Sequence, residues 1–134
     1  MKVQEFMTTN IKFVDAEKSA YDAIEKMVDR RIRSLVVRFN KKNIEHGVIT
    51  ARDVVFKVLA KGLDPKKIRV SDIASKPILS IEQSMSIKEA AALMERSNIA
   101  RIFVEKSKNI IGVISMVDLM DASLIMRARG ENVF

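Results

Sequence analysis

Gly47-Val-Ile-Thr50-Ala-Arg-Asp53 and Gly112-Val-Ile-Ser115-Met-Val-Asp118 are two copies of one pattern. In each, an apolar, β-prone run ends at a hydroxyl side chain and a helix-compatible stretch begins. Thr50 and Ser115 stand where an N-cap belongs, with Asp53 and Asp118 three residues on in the first turn. As plain architecture this is a strand-to-helix junction. As chemistry it offers a hydroxyl, backbone N–H groups at a helix start, and a carboxylate able to accept from a ribose diol. The glycine three residues upstream lets a ligand or another backbone come close.

Working outward, the two junctions prove to be parts of a duplication. Residues 3–41 align with 70–108 at an offset of 67, and 47–54 align with 112–119 at an offset of 65. The alignment holds 12 identities in 47 positions, among them Val3/Val70, Ala23/Ala90, Met27/Met94 and Val37/Val104; average composition would give roughly three. Each copy runs through the same periods. A short apolar patch (Ile11, Phe13, Val14; Ile78, Leu79, Ile81) precedes a helical stripe formed by Ala20, Ala23, Ile24, Met27 and Val28, or by Ile87, Ala90, Ala91 and Met94. Ser19 with Asp22 and Ser86 with Glu89 are N-cap pairs, the second fitting a capping box. Met27 and Met94 belong to the core. Two strand-like runs follow, SLVVRF and HGVIT or RIFVE and IIGVIS, joined by turns over residues 40–45 and 106–109. A second helix then runs to Gly62 or Gly130. The order predicted for each half is β-α-β-β-α, an α/β (α+β) fold, with repeats at 1–62 and 70–134 and a linker at 63–69. A half of about 60 residues is marginal for folding alone, so the halves are expected to cover each other's open sheet faces.

Composition removes several classes of function. The 134 residues include no Cys, which excludes disulfides, cysteine-zinc sites and thiol catalysis. The single His46 reads as a hairpin or edge residue, no metal site is assigned, and no HExxH, GxSxG or P-loop pattern occurs. No apolar run approaches the roughly 18 residues of a spanning helix, and MKVQE leads into no signal segment, so a soluble, cytoplasmic protein is expected. The formal charge is +7. Residues 1–67 carry 15 basic and 9 acidic side chains, against 9 and 8 in residues 68–134, and such a surface favours anionic partners.

With these features the whole chain, over residues 3–125 or so, resembles a tandem pair of cystathionine beta-synthase (CBS) domains, a Bateman module. The shared features are the duplication, the β-α-β-β-α order and the two G-h-h-[ST]-x-x-D signatures. The resemblance implies two repeats packed about a pseudo-two-fold axis, with two clefts for adenosine-type ligands between them. It implies that Asp53 and Asp118 hold ribose hydroxyls, with Thr50 and Ser115 near the ribose or phosphate. It also implies that Thr9, Asn10 and Ile11, and Lys76, Pro77 and Ile78, border the base. Arg101 falls on the family's usual Arg position before the second strand; the first repeat has Ser34 there and Arg33 one place earlier. Both guanidiniums suit phosphate. The sequence departs from the family pattern at Val36 and Phe103, where Pro is usual in that motif, and at Asn10, where Pro is usual before the first strand.

The expected function is a non-catalytic, ligand-sensing regulatory module, with AMP, ADP, ATP or S-adenosylmethionine as ligand and no catalytic cofactor. An effector protein in trans would read the bound state. The family resemblance further implies a homodimer through the second helices, with Val54, Val55, Val58, Met120, Leu124 and Ile125 in the contact. The alternative is a nucleic-acid-binding protein using the basic first repeat; a lesser one is an enzyme using the Asp residues as acid–base groups.

Overall fold

The computed structural model describes residues 1–42 and 44–131. Asn43, within the turn predicted over residues 40–45, and residues 132–134 lie outside the described residues. The chain forms two compact units, Lys12–Ile78 and residues 1–11 with 79–131.

In the unit Lys12–Ile78, β1 (Phe13–Asp15) lies parallel to β2 (Ser34–Arg38), which pairs antiparallel with β3 (His46–Thr50). Helix α1 (Ala20–Arg30) connects the parallel strands. After β3, α2 (Ala51–Val54) runs on as a π-type turn over Val55–Leu59 and stops at Gly62, whose φ is +68°. A single 3-10 turn at Pro65–Lys67 leads to the short α3 (Val70–Ile73). Val14, Ala20, Ala23, Met27, Leu35, Val37, Ile49, Val54, Val58, Val70 and Ile73 make its core.

The second unit repeats the plan. β4 (Ser80–Glu82) is parallel to β5 (Arg101–Lys106), β5 is antiparallel to β6 (Asn109–Ser115), and α4 (Ile87–Ser97) and α5 (Met116–Ala128) follow β4 and β6. The β5–β6 turn places Ser107 and Lys108 at φ 50° and 70°, the left-handed pair that a two-residue hairpin of native twist needs. The two-sheet, mixed α+β fold is the one predicted.

The compact units cut the chain differently from the sequence repeats. Val3 and Val70, an identical pair in the duplication, are both fully buried, but Val3 sits in the cluster with Ile81, Ile87 and Ile114, whereas Val70 joins Leu35 and Ile49. The segment leading each repeat thus packs on the sheet of the other. Periodicity cannot show this, because it reports which residues are buried and not where.

Three local expectations are corrected. Val28 is 69% exposed and leaves the α1 stripe; it lies about 80° round the helix from Ala20, at the stripe's edge. The reciprocal capping box is at Ser19, not Ser86: Asp22 returns a carboxylate to the Ser19 N–H at 3.2 Å. Ser86 only accepts from the Glu89 N–H, and the Glu89 carboxylate stays at the exposed helix surface. Val54 and Val58, expected at a subunit contact, are 4% and 0% exposed and belong to the core, because the turn through residues 51–59 directs them at the sheet.

Candidate functional site

The two signature junctions are built alike. The Thr50 hydroxyl accepts the Asp53 N–H at 3.1 Å, while Asp53 Oδ2 accepts the Thr50 N–H at 2.9 Å and the Thr50 hydroxyl at 3.0 Å. At the second junction the same three bonds join Ser115 and Asp118, at 3.2, 2.8 and 3.0 Å. The hydroxyl residue caps the helix, and the carboxylate is locked over the first turn through Oδ2. A further shared bond fixes the helix start: Ala51 donates to the Arg33 carbonyl at 2.9 Å, and Met116 to the Ala100 carbonyl at 3.0 Å. Four N-terminal N–H groups have no partner within a helix; here the capping box and these carbonyls take three of them, leaving that of Arg52 or Val117.

Register places the remaining candidates. Ser34 lies directly across from Thr50, and Arg101 directly across from Ser115. Arg101 therefore shares a sheet face with Ser115 and is exposed there. Arg33 precedes its strand and is exposed, with its carbonyl used at the helix start. Val36 and Phe103 lie on that same face, opposite to the one carrying Leu35 and Val37 or Ile102 and Val104, and both are buried.

The leading segments run along the free edges of β3 and β6. Ser75 exchanges both backbone hydrogen bonds with Val48, and Thr8 does so with Val113, all four at 2.9 Å. These antiparallel bridges carry the chain away from the signature hydroxyls. Thr9, Asn10 and Ile11 follow the Thr8 bridge in the same unit as Ser115 and Asp118, and Ile11 donates to the Thr9 carbonyl at 2.9 Å. Lys76, Pro77 and Ile78 continue down β3, where Ile78 donates to the His46 carbonyl at 2.9 Å. The Lys76 ammonium lies 3.7 Å from Glu45 and 4.7 Å from the Phe39 ring centroid, at the hairpin end of the sheet. The structure thus joins Thr50 to Asp53 and Ser115 to Asp118, sets Lys76, Pro77 and Ile78 farther along β3, and places Thr9, Asn10 and Ile11 just beyond the Thr8 bridge to β6.

The glycines of the signature are explained by these crossings. A Cβ on Gly47 would stand 2.5 Å from the Ser75 carbonyl oxygen, and one on Gly112 would stand 2.8 Å from that of Thr8. Of the two occupants the sequence allows, the backbone is the one present.

One residue at the site was missed. Lys57 places its ammonium 3.0 Å from Asp53 Oδ1 and donates to the Ile73 carbonyl at 2.9 Å. The signal was the D-x-x-x-K spacing, which puts acid and base on one helical face. The second repeat has Ala122 at the aligned position, and among the described residues no cation pairs with Asp118.

Beyond the junctions, Val55, Phe56 and Leu59 are exposed in one unit, and Met116, Val117, Met120, Leu124 and Ile125 in the other. No helix among the described residues is long and apolar enough to cross a membrane.

Comparison with known proteins agrees with this architecture. An uncharacterized protein of Methanopyrus kandleri is 34% identical over 104 residues, covering 77% of this chain and 53% of that protein. The chain covers 58% of the length of a second archaeal relative, from Methanocaldococcus jannaschii; it spans little more than half of either. The hexameric CBS-CP12 protein from bloom-forming cyanobacteria superimposes with a TM-score of 0.82 at 29% identity, over 100% of this chain and 77% of that one. A CBS domain protein of Pyrobaculum aerophilum, complexed with AMP, shares the fold with a TM-score of 0.77 at 20% identity, over 97% and 98% of the two chains. The CBS domain family matches twice, over residues 3–60 and 70–125, and the chain, with its two signature junctions in those segments, belongs to that family.

Proposed function

We propose that the protein is a non-catalytic regulatory module that binds an adenosine-type ligand at its signature junctions and reports the bound state to a partner protein. The observation that carries this reading is the duplicated capping box. Each copy holds a carboxylate at a helix start through Oδ2, and its second oxygen is suited to accept from the vicinal hydroxyls of a ribose, directly at Asp118 and after displacement of Lys57 at Asp53. A phosphate on the same nucleoside would reach the helix N-terminus and Arg101 or Arg33. The base would lie down the strand beside Thr9–Ile11 or Lys76–Ile78, three residues of β-strand being about 10 Å. The AMP complex of the Pyrobaculum relative supports adenine nucleotides as the first ligands to test; S-adenosylmethionine shares the ribose.

Signalling requires that the ligand favour one arrangement of the protein over another, since equal affinity shifts nothing. Self-association would supply such arrangements. The exposed Met120, Leu124 and Ile125 of α5 and Val55 of the first repeat are apolar surface suited to a homodimer contact, and the cyanobacterial relative is hexameric. We place the protein in the cytoplasm on the same reading.

The test is isothermal titration with AMP, ATP and S-adenosylmethionine, for the natural protein and the Asp53→Ala/Asp118→Ala variant. Saturable binding abolished in the variant is expected. Absence of binding by all three, together with salt-dependent capture of DNA or RNA that the variant retains, would replace this reading with a nucleic-acid one.

A further inference from the structure

We infer that the two junctions are not equivalent: Ser115, Asp118 and Arg101 form the working nucleotide site, and Lys57 occupies the first junction as a built-in cation. The inference rests on the adenosine reading above and assigns its occupancy. A carboxylate has two oxygens to share, and at both junctions Oδ2 is taken by the capping residue's N–H and hydroxyl. Oδ1 is what remains for a diol. At Asp53 that oxygen is met by the Lys57 ammonium at 3.0 Å, with the carboxylate side chain only 15% exposed. Lys57 is itself held, because it also donates to the Ile73 carbonyl at 2.9 Å and so ties the turn after α2 to the end of α3, two residues before the Ser75 that crosses Gly47. A ribose arriving there must break a charge-assisted hydrogen bond and leave the ammonium with one neutral partner.

Nothing of the kind stands at the second junction. Ala122 occupies the position aligned with Lys57 and is fully buried, and the only side-chain hydrogen bonds of Asp118 among the described residues are those with Ser115. The cations are also distributed in opposite senses. Across the strand from Ser115 stands Arg101, free to meet a phosphate without touching the carboxylate; across from Thr50 stands Ser34. The first junction therefore has a cation on its diol acceptor and none opposite its hydroxyl, and the second has the reverse. The same asymmetry points to a nucleoside carrying a 5′-phosphate rather than a bare nucleoside.

Calorimetric titration of the full chain with AMP and with adenosine tests this. The natural protein should bind one AMP per chain, with any second event weaker by about tenfold or more, the scale of one hydrogen bond to a charged, largely buried group. Lys57→Met should raise the stoichiometry to two. Arg101→Met should weaken AMP about tenfold while leaving adenosine within about twofold, and it alters no cap, so it remains informative should Asp118→Asn fail to fold. Asp118→Asn should abolish the natural site, and Lys57→Met/Asp118→Asn should keep one. Two equal sites in the natural protein, or one site in Lys57→Met, would overturn the asymmetry and leave the adenosine reading standing. No saturable binding of AMP, ATP or S-adenosylmethionine by either protein would overturn both.

Discussion

Replacing Gly47 or Gly112 by Ala tests whether the leading segments are held in place as described. Neither glycine is needed for its φ, since both lie within regular strands. What each needs is the absence of a Cβ. On Gly47 that atom would meet the Ser75 oxygen and Phe39 Cε2, both at 2.5 Å; on Gly112 it would meet the Thr8 oxygen and Met7 Sδ, both at 2.8 Å. A carbonyl oxygen at 2.5 Å has to retreat by nearly an ångström, and that oxygen is the one accepting the Val48 N–H at 2.9 Å. Losing both bonds of the Ser75–Val48 bridge, at about 1 kcal/mol each, with the associated repacking, gives about 2–3 kcal/mol for Gly47→Ala. Gly112→Ala should cost less, about 1–2 kcal/mol, because the Thr8 oxygen stands at 2.8 Å against 2.5 Å for that of Ser75, and the flexible thioether of Met7 can move aside. For 134 residues an unfolding entropy near 2.1 cal/mol/K per residue converts 1 kcal/mol to roughly 4 °C. Thermal denaturation followed by circular dichroism should therefore show a fall of roughly 8–12 °C for Gly47→Ala and roughly 4–8 °C for Gly112→Ala. Melting temperatures within about 2 °C of the natural protein in both variants would refute the crossing, and a reversed order would refute the part assigned to Met7.

Further predictions follow from the same geometry. Thr50→Val and Ser115→Ala each remove a cap hydroxyl that accepts a backbone N–H and donates to a carboxylate, and should each lower stability by about 1 kcal/mol in urea titrations. Val3→Ala, although three residues from the start of the chain, should cost about 2 kcal/mol, because Val3 is fully buried. Amide exchange should then quicken in β5 and β6 and not in β2 and β3. Replacing Met120 and Leu124, 61% and 68% exposed, by Glu should leave the melting temperature within a few degrees; it should reduce the mass measured by light scattering to that of one chain.

Much of this architecture was legible because the duplication repeated every signal. Ala23 and Ala90, Met27 and Met94, and Val37 and Val104 are buried in pairs, as their shared periodicity requires. The capping geometry of Thr50–Asp53 and Ser115–Asp118 was legible for the same reason: a hydroxyl three residues before a carboxylate at a strand end has one dominant local solution. What periodicity leaves open is any choice between equivalent partners. Val3 and Val70 carry the same burial signal, and either sheet could have received either side chain. Val54 and Val58 show a second limit. Apolar residues on a helix face are core or contact according to what the helix packs on, and that is decided by the tertiary fold.

Lys57 shows a third limit, and it bears on function. A duplication draws attention to what the copies share, so the reading of the junctions began from Thr or Ser and Asp, which are present twice. The residue that separates them is present once. Lys57 and Ala122 occupy aligned positions, as do Ser34 and Arg101; Ser34 and Arg101 each open the second strand of a repeat, while Lys57 lies in a π-type turn and Ala122 in a regular α-helix. The two exchanges bear on different junctions: the Lys57 ammonium takes Oδ1 of Asp53 in the first, and Arg101 stands across from Ser115 in the second. On the proposed reading, two junctions that keep the same carboxylate but differ in where the nearest cation stands should differ in affinity for a phosphorylated diol. What the two copies share carries the proposal of where a ligand binds, and what separates them, Lys57 against Ala122 and Ser34 against Arg101, carries the proposal of which copy binds it.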